Sequence, residues 1–242
     1  MPGTIKYLDL TLPSPEENLA LDEALLDACN DGGAEALRFW ESPRYFVVVG
    51  LGRSVGEDVD QKACAADNVA ILRRCSGGGT VLQGPGCLNY ALVLRQERDP
   101  GLRTVSDANR HIMERNRTAL AAETGLEVRV EGHTDLAVDG LKFSGNSQRR
   151  RRHALLFHGT FLLGFDISKV EQFLRLPGLQ PEYRRGRRHH EFLRNLELEP
   201  ESVKAAIQRA WDGRSPLTGV PSKAIRTLVE AKYSRTDWNF RR

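Results

Sequence analysis

Two short stretches carry residue types that could do chemistry together. RRCSGGGTVLQGPG, residues 73–86, sets two arginines and three consecutive glycines between two strand-like runs. Glycine admits positive φ and lets backbone approach a ligand with no Cβ in the way. Several N–H groups gathered in one concavity hold an anion, and Arg73 or Arg74 would add fixed charge. A flexible hairpin loop would use the same glycines. The second stretch, DGLKFSGNSQRR (139–150), places Lys142 after a tight turn, beside Ser144, Gly145, Asn146 and Ser147. Alone it reads as a surface lysine; opposite an anion loop it would neutralise a phosphate and polarise a carbonyl oxygen. No G-x-x-x-x-G-K-[ST] occurs, and GGGTVLQG does not satisfy G-x-G-x-x-G, so a phosphate site here is of another kind.

The elements that must position these residues follow from periodicity and punctuation. Ser14 and Pro15 open a helix through LALDEALLDACN that ends at Gly32 and Gly33. ALRFWES and YFVVVG read as adjacent strands separated by Ser42-Pro43, DQKACAADN as a short helix, and VAILRR and CLNYALVLR as strands on either side of the glycines. A helix capped by Ser106 runs to Gly125. EVRVEG, DLAVDGLKFSG and HALLFHGTFLLG are consecutive strands with a hairpin turn at Asp139-Gly140, and the remainder reads as helical. Strands joined mostly to strands, with helices to one side, predict an α+β fold with a mixed, mostly antiparallel sheet and flanking helices.

Composition narrows the class. A chain of 242 residues, 40% hydrophobic and 28% charged, can bury one sizeable core. The cysteines Cys29, Cys64, Cys75 and Cys87 form no C-x-x-C pair, and no secretory leader is apparent, so reduced thiols and a cytoplasmic location are expected. The apolar runs are too short and too interrupted to predict a membrane span. The net charge of +3 concentrates positive residues in SQRRRRH (147–153) and YRRGRRHHEFLR (183–194). No nucleic-acid module accompanies them, so the expectation is a phosphate-bearing small molecule, an acidic protein partner or a solvated face, not nucleic acid.

ENLALDEALL, RRCSGGGTV followed by LNYALVL, GLKFSGNSQRR, HGTFLL and KYSRTDWN stand in an order and spacing that resemble the lipoate–protein ligase family of the biotin/lipoate ligase group. The resemblance runs from about residue 5 onward. It implies one catalytic domain over 1–242, like class II aminoacyl-tRNA synthetases and biotin-protein ligases, with a helical C-terminal segment from about 198. It implies ATP-dependent activation of lipoate to lipoyl-adenylate and transfer to a lysine of an acceptor lipoyl domain or glycine-cleavage H-like protein. Arg74, Gly77, Gly78, Gly79, Thr80, Val81, Leu82, Asn146 and His158 would line or shape the adenylate site. Lys142 would be the essential lysine, and Asp135 would lie near Mg2+ and the phosphates. The segment around YRRGRRHHEFLRNL occupies the place of a loop that closes over the adenylate.

Departures from the pattern bear on substrate. Gln83-Gly84 stand where the family often has His-Asp, Arg53 where a G-R-x-Q pattern has glutamine, and Thr134 where asparagine precedes Asp135. Octanoate or another short acyl chain is therefore an alternative to lipoate. Many members carry a small C-terminal accessory domain, and the sequence stops at Arg242; the expectation is a separate accessory protein for adenylation, or only part of the reaction. Two rival readings remain: a cysteine-dependent octanoyl or lipoyl transferase of the same fold, with Cys75 or Cys87 beside the glycine loop as acyl carrier, and a non-catalytic acyl-adenylate-binding protein.

Overall fold

Ser14 and Glu17 cap each other reciprocally ahead of Pro15, and from them helix α1 runs Pro15–Asn30 in the computed structural model, which describes residues 4–241. The other helices are α2 (Val55–Asp58), α3 (Gln61–Ala66), α4 (Val105–Thr124), α5 (Ser168–Phe173), α6 (His189–Phe192), α7 (Pro200–Ala210), α8 (Ser222–Leu228) and α9 (Thr236–Asn239). The strands are β1 (Lys6–Asp9), β2 (Ala36–Glu41), β3 (Phe46–Val49), β4 (Ala70–Arg73), β5 (Val81–Gln83), β6 (Cys87–Arg95), β7 (Arg129–Glu131), β8 (Asp135–Val138), β9 (Leu141–Arg150), β10 (Ala154–Leu162) and β11 (Ser215–Pro216). Eight of them form one sheet in the order β11-β1-β2-β6-β10-β9-β8-β7, and β4-β3-β5 form a second. In the large sheet β11, β1 and β2 pair in parallel and every other pairing is antiparallel. The expected mixed, mostly antiparallel α+β fold is therefore present.

Strand alternation divides the core. Along β6, Leu88, Tyr90, Leu92 and Leu94 face α4 and α7, packing with Ile112, Met113, Val203 and Ile207. Ala91 and Val93 turn to the other face and meet Leu21, Leu25 and Leu26 of α1. A third cluster joins the small sheet, through Val47, Val49 and Leu82, to Val59 and Phe173. Asp139 and Gly140 both take positive φ, +54° and +71°, and close the β8–β9 hairpin, as the Asp-Gly pair predicts.

Several boundaries differ from the sequence reading. Thr104, not Ser106, caps α4, accepting from the amide of Asp107. ALRFWES and YFVVVG do not pair: β2 stays in the large sheet, while β3 after Ser42-Pro43 enters the small one. The region after 198 is not all helix, because Ser215 and Pro216 pair with Lys6 and Tyr7, adding an edge strand. Strand β1 had no recognised sequence signal; its four residues pair with β2 on one edge, and Lys6 and Tyr7 pair with β11 on the other. Residues 1–3 and 242 of the expected 1–242 domain lie outside the described residues. No helix among the described residues is long and apolar enough to cross a membrane.

Candidate active site

The glycine run connects β4 to β5 and is shaped from beneath by Arg74. This guanidinium is 8% exposed. Its Nε donates to Ser76 Oγ and Gly77 O (both 3.1 Å), its Nη2 to Gly79 O (2.8 Å) and again to Gly77 O, and its Nη1 to Val48 O (3.3 Å). Burial lowers its pKa to about 10, so it remains charged at neutral pH. With the carbonyls of Gly77 and Gly79 drawn to Arg74, the amides of Gly77, Gly78 and Gly79 make no hydrogen bond among the described residues. Gly78 and Gly79 are exposed, and Gly78 has φ +83°. Free amides beside a buried cation are what an anion cradle requires. A Cβ at Gly50 would come 2.1 Å from Gly78 O, so a second glycine across the loop admits this turn. Arg73, fully buried, donates to Gly50 O (2.8 Å), Arg53 O (2.7 Å) and Arg241 O (2.7 Å), while Trp238 Nε1 donates back to its carbonyl (2.8 Å). The C-terminal SRTDWN stretch thus packs behind the loop.

The lysine strand abuts the cradle. Ser147 of β9 donates through Oγ to Gly77 O (3.0 Å). Lys142 lies along the same strand, for a Cβ at Gly145 would meet its Nζ at 2.7 Å. Gly145 and Ser147 share one face of β9, and at about 3.3 Å per residue the ammonium sits roughly 7 Å from the point where Ser147 holds the loop. Its Nζ pairs with Asp135 Oδ1 at 2.8 Å, and the Lys142 side chain stays 23% exposed. The other oxygen, Asp135 Oδ2, accepts from Tyr183 OH at 2.7 Å.

His158 and Asn146 serve as fixtures behind these two elements. His158 Nε2 meets Ser76 Oγ at 2.5 Å, and its Nδ1 lies 3.4 Å from Asp22, which is salt-bridged to the fully buried Arg38 (2.5 Å). The line Arg38–Asp22–His158–Ser76–Arg74 therefore ties the cradle to α1. Asn146 donates through Nδ2 to Thr134 O (2.8 Å) and accepts from Tyr90 OH (2.7 Å); Asn116 donates to that hydroxyl (3.0 Å) and accepts from Trp211 Nε1 (2.8 Å). A Cβ at Gly159 would lie 1.9 Å from Asn146 Oδ1, so the glycine after His158 makes room for Asn146. Thr134, one of the departures, fits this frame by donating through Oγ1 to Asn146 O (2.6 Å).

Other expected positions are placed differently. Thr80 leaves the loop to donate to Asp58 Oδ2 (2.5 Å), and Asp58 also holds Arg53 (2.5 Å). Burial would push the Asp58 carboxyl up, but Arg53 and Thr80 outweigh it and hold it below the usual range. Leu82, which the resemblance assigned to the segment lining the adenylate site, has its side chain buried in the core with Val47 and Val49, since alternation in β5 turns it from the loop. Val81 packs partly against the α1 core. Gln83 is buried and accepts from the Cys87 thiol (3.2 Å), and a Cβ at Gly84 would strike the Tyr45 ring at 2.4 Å. All four cysteines are buried, and burial pushes the Cys75 and Cys87 thiols up to about 12.

Sequence reasoning missed Asp22, Arg38 and Tyr183, and named Ser147 only as a neighbour of Lys142. Asp22 had a usable signal, a carboxylate on the apolar face of α1 between Leu19 and Leu26; Tyr183 had none, its partner standing 48 residues away. No group of three or more His, Cys, Asp or Glu among the described residues could hold a metal ion by itself. Asp135 has both oxygens engaged, Oδ1 by Lys142 and Oδ2 by Tyr183, so it would share Mg2+ with a nucleotide only once Lys142 has moved off Oδ1, with phosphates and water completing the shell. A cleft of about 870 Å3 between α4 and α7 is lined by Asp107, Arg110, His111, Glu114 and Arg209 among others and contains no predicted site residue.

With this geometry in hand, the chain can be set beside known proteins. An Aeropyrum pernix relative whose name assigns it provisionally to lipoate-protein ligase A is 33% identical over 171 residues, a match spanning 69% of this chain and 61% of that relative's own length. An octanoyltransferase LipM of Symbiobacterium thermophilum is 31% identical over 270 residues, 95% of each chain. Among solved structures, a bi-partite lipoate protein ligase of Thermoplasma acidophilum superposes with a TM-score of 0.84 at 24% identity, covering 98% of this chain and 96% of that one, which is a likeness of fold. The model of the lipoyl protein ligase A/B catalytic domain matches residues 14–208, and the chain belongs to that family.

Proposed function

We propose that this chain is an acyl-AMP-forming ligase that activates lipoate, or a related short acyl acid such as octanoate, with ATP and passes the acyl group to a lysine of an acceptor lipoyl domain or glycine-cleavage H-like protein. One observation carries the reading: a cradle of unpartnered glycine amides is bolted through Ser147 to the strand on which Lys142 lies toward it. In the first step a carboxylate oxygen of the acid attacks the α-phosphorus and pyrophosphate leaves. The amides and Lys142 offset the charge that accumulates when two anions meet. In the second, the acceptor amine attacks the acyl carbonyl, loses its proton and expels AMP, and the same cation stabilises the departing phosphate. Mg2+ held by Asp135 and the nucleotide would further shield the phosphates.

The transferase reading is favoured by relatives such as the LipM protein, but a thioester route needs an accessible thiolate. Buried thiols with pKa values near 12, at Cys75 and Cys87, supply none at neutral pH. We further read the chain as a single cytoplasmic catalytic domain that works with a separate accessory protein, by analogy with the bi-partite Thermoplasma acidophilum ligase and its E2 lipoyl domain. The test is lipoate-dependent exchange of pyrophosphate into ATP. Exchange that depends on lipoate supports ligase chemistry, and exchange by this chain alone removes the need for a helper. Tight binding with no exchange and no transfer, with or without an accessory protein, favours a non-catalytic binder.

A further inference from the structure

The basic segment at 181–194 does more than lie beside the site: it grips the β8–β9 hairpin on both sides of Lys142. Arg194 N donates to Lys142 O (2.9 Å), and Leu193 bridges to Lys142 in parallel. Arg187 Nη2 donates to Gly140 O in the hairpin turn (3.0 Å). Arg184 and Arg187 both stack on Phe192, at 4.7 and 5.3 Å, so their charges brace the segment's own fold instead of facing a ligand. Tyr183, with its ring 5.1 Å from that of Phe192, sends its hydroxyl to Asp135 Oδ2.

We propose that Tyr183 is a positioning residue for the lysine. By committing one Asp135 oxygen to the 181–194 segment, it fixes the carboxylate so that only Oδ1 is offered to Lys142. The ammonium is then parked by a single contact, facing the cradle, and a phosphate can draw it off. Without the hydroxyl, Asp135 is free to rotate, and Lys142 follows it out of register with the glycine amides. The idea rests on Lys142 being the phosphate-facing cation.

The test is a double-mutant cycle on single-turnover acyl-adenylate formation at saturating ATP, with the accessory protein present if exchange requires it. Tyr183→Phe should lower the rate by about 10-fold with the KM for ATP within about 2-fold, because misplacement of a charge acts on the transition state. In an Asp135→Asn background the same change should alter the rate by less than about 2-fold, whereas a merely structural tyrosine would give losses that multiply. A Tyr183→Phe rate within about 2-fold of the parent, or multiplying losses, overturns the proposal. Lys142→Ala run alongside separates the two readings. A Lys142→Ala protein that still forms adenylate removes the ligase reading of Lys142 itself, while an inactive one beside a fully active Tyr183→Phe protein removes only the tyrosine.

Discussion

Arg74 and Lys142 are the two cations that the motifs single out, and the protein treats them in opposite ways. Arg74 is buried and directs its guanidinium at three carbonyls and a hydroxyl, so its charge and its planar fork are fully engaged before any ligand arrives. Lys142 is partly exposed, rests across a glycine and is held by one carboxylate. The first is fitted to hold a shape and the second to move onto a charge. A fixed cradle on the small sheet and a singly held ammonium on β9 of the large sheet, joined by Ser147, make a site that is preorganised for one anion and responsive to a second.

The contrast can be broken at either end. Replacing Lys142 with Ala should reduce adenylate formation on the order of 10³-fold, as for loss of a main electrostatic donor, with the melting temperature little changed, measured by single-turnover kinetics and calorimetry side by side. Arg74→Ala should act on the fold instead. Stranding several buried carbonyls costs about 3 kcal/mol or more of stability in a denaturant titration, and Arg74→Lys should not restore it, because an ammonium cannot serve a fork of acceptors. A smaller effect sharpens the comparison. A Cβ at Gly145 meets only the flexible end of Lys142, so Gly145→Ala should leave the unfolding midpoint in place while slowing adenylation by about 10-fold.

The thiols give the smallest expected effect on rate. Cys75→Ser and Cys87→Ser should each keep adenylation and transfer within about 2-fold, the outcome that excludes a thioester intermediate. Their titration makes a separate prediction. Both thiols ionise near 9 when unfolded and near 12 when folded, so above pH 9 the unfolded chain has lost protons that the native chain retains. Their contribution to stability is therefore complete below about pH 9 and lost as pH climbs toward 12, and unfolding midpoints measured across that window should fall with a shallower slope in the serine variants.

Local rules made part of this molecule legible in its sequence. The capping box at Ser14, the Asp139-Gly140 turn and the alternation in CLNYALVLR each act over a few residues, and each appears where the sequence places it. The pairing of RRCSGGG with GLKFSGNS was legible only as a resemblance; the bond that joins them, Ser147 to Gly77, spans 70 residues. The resemblance assigned a segment that includes Leu82 to the site, while the direction of its side chain, into the core, is set by alternation within β5. Gln83 and Gly84 stand where the resemblance expects His-Asp, and their contacts in the structure, with Cys87 and Tyr45, are ones that no periodicity encodes. Asp22 was visible as a charge on an apolar helix face, yet its meaning needed Arg38 and His158, which reach it from two other strands.

In the proposed function Lys142, working beside the glycine cradle, drives acyl transfer to a protein lysine. The most direct measurement is the intact mass of a candidate lipoyl domain after incubation with this chain, its accessory protein where needed, ATP, Mg2+ and lipoate or octanoate. The expected result is a mass increase of one acyl group that requires ATP and disappears with Lys142→Ala. An equal mass increase with the Lys142→Ala protein, or one that forms without ATP, would contradict it.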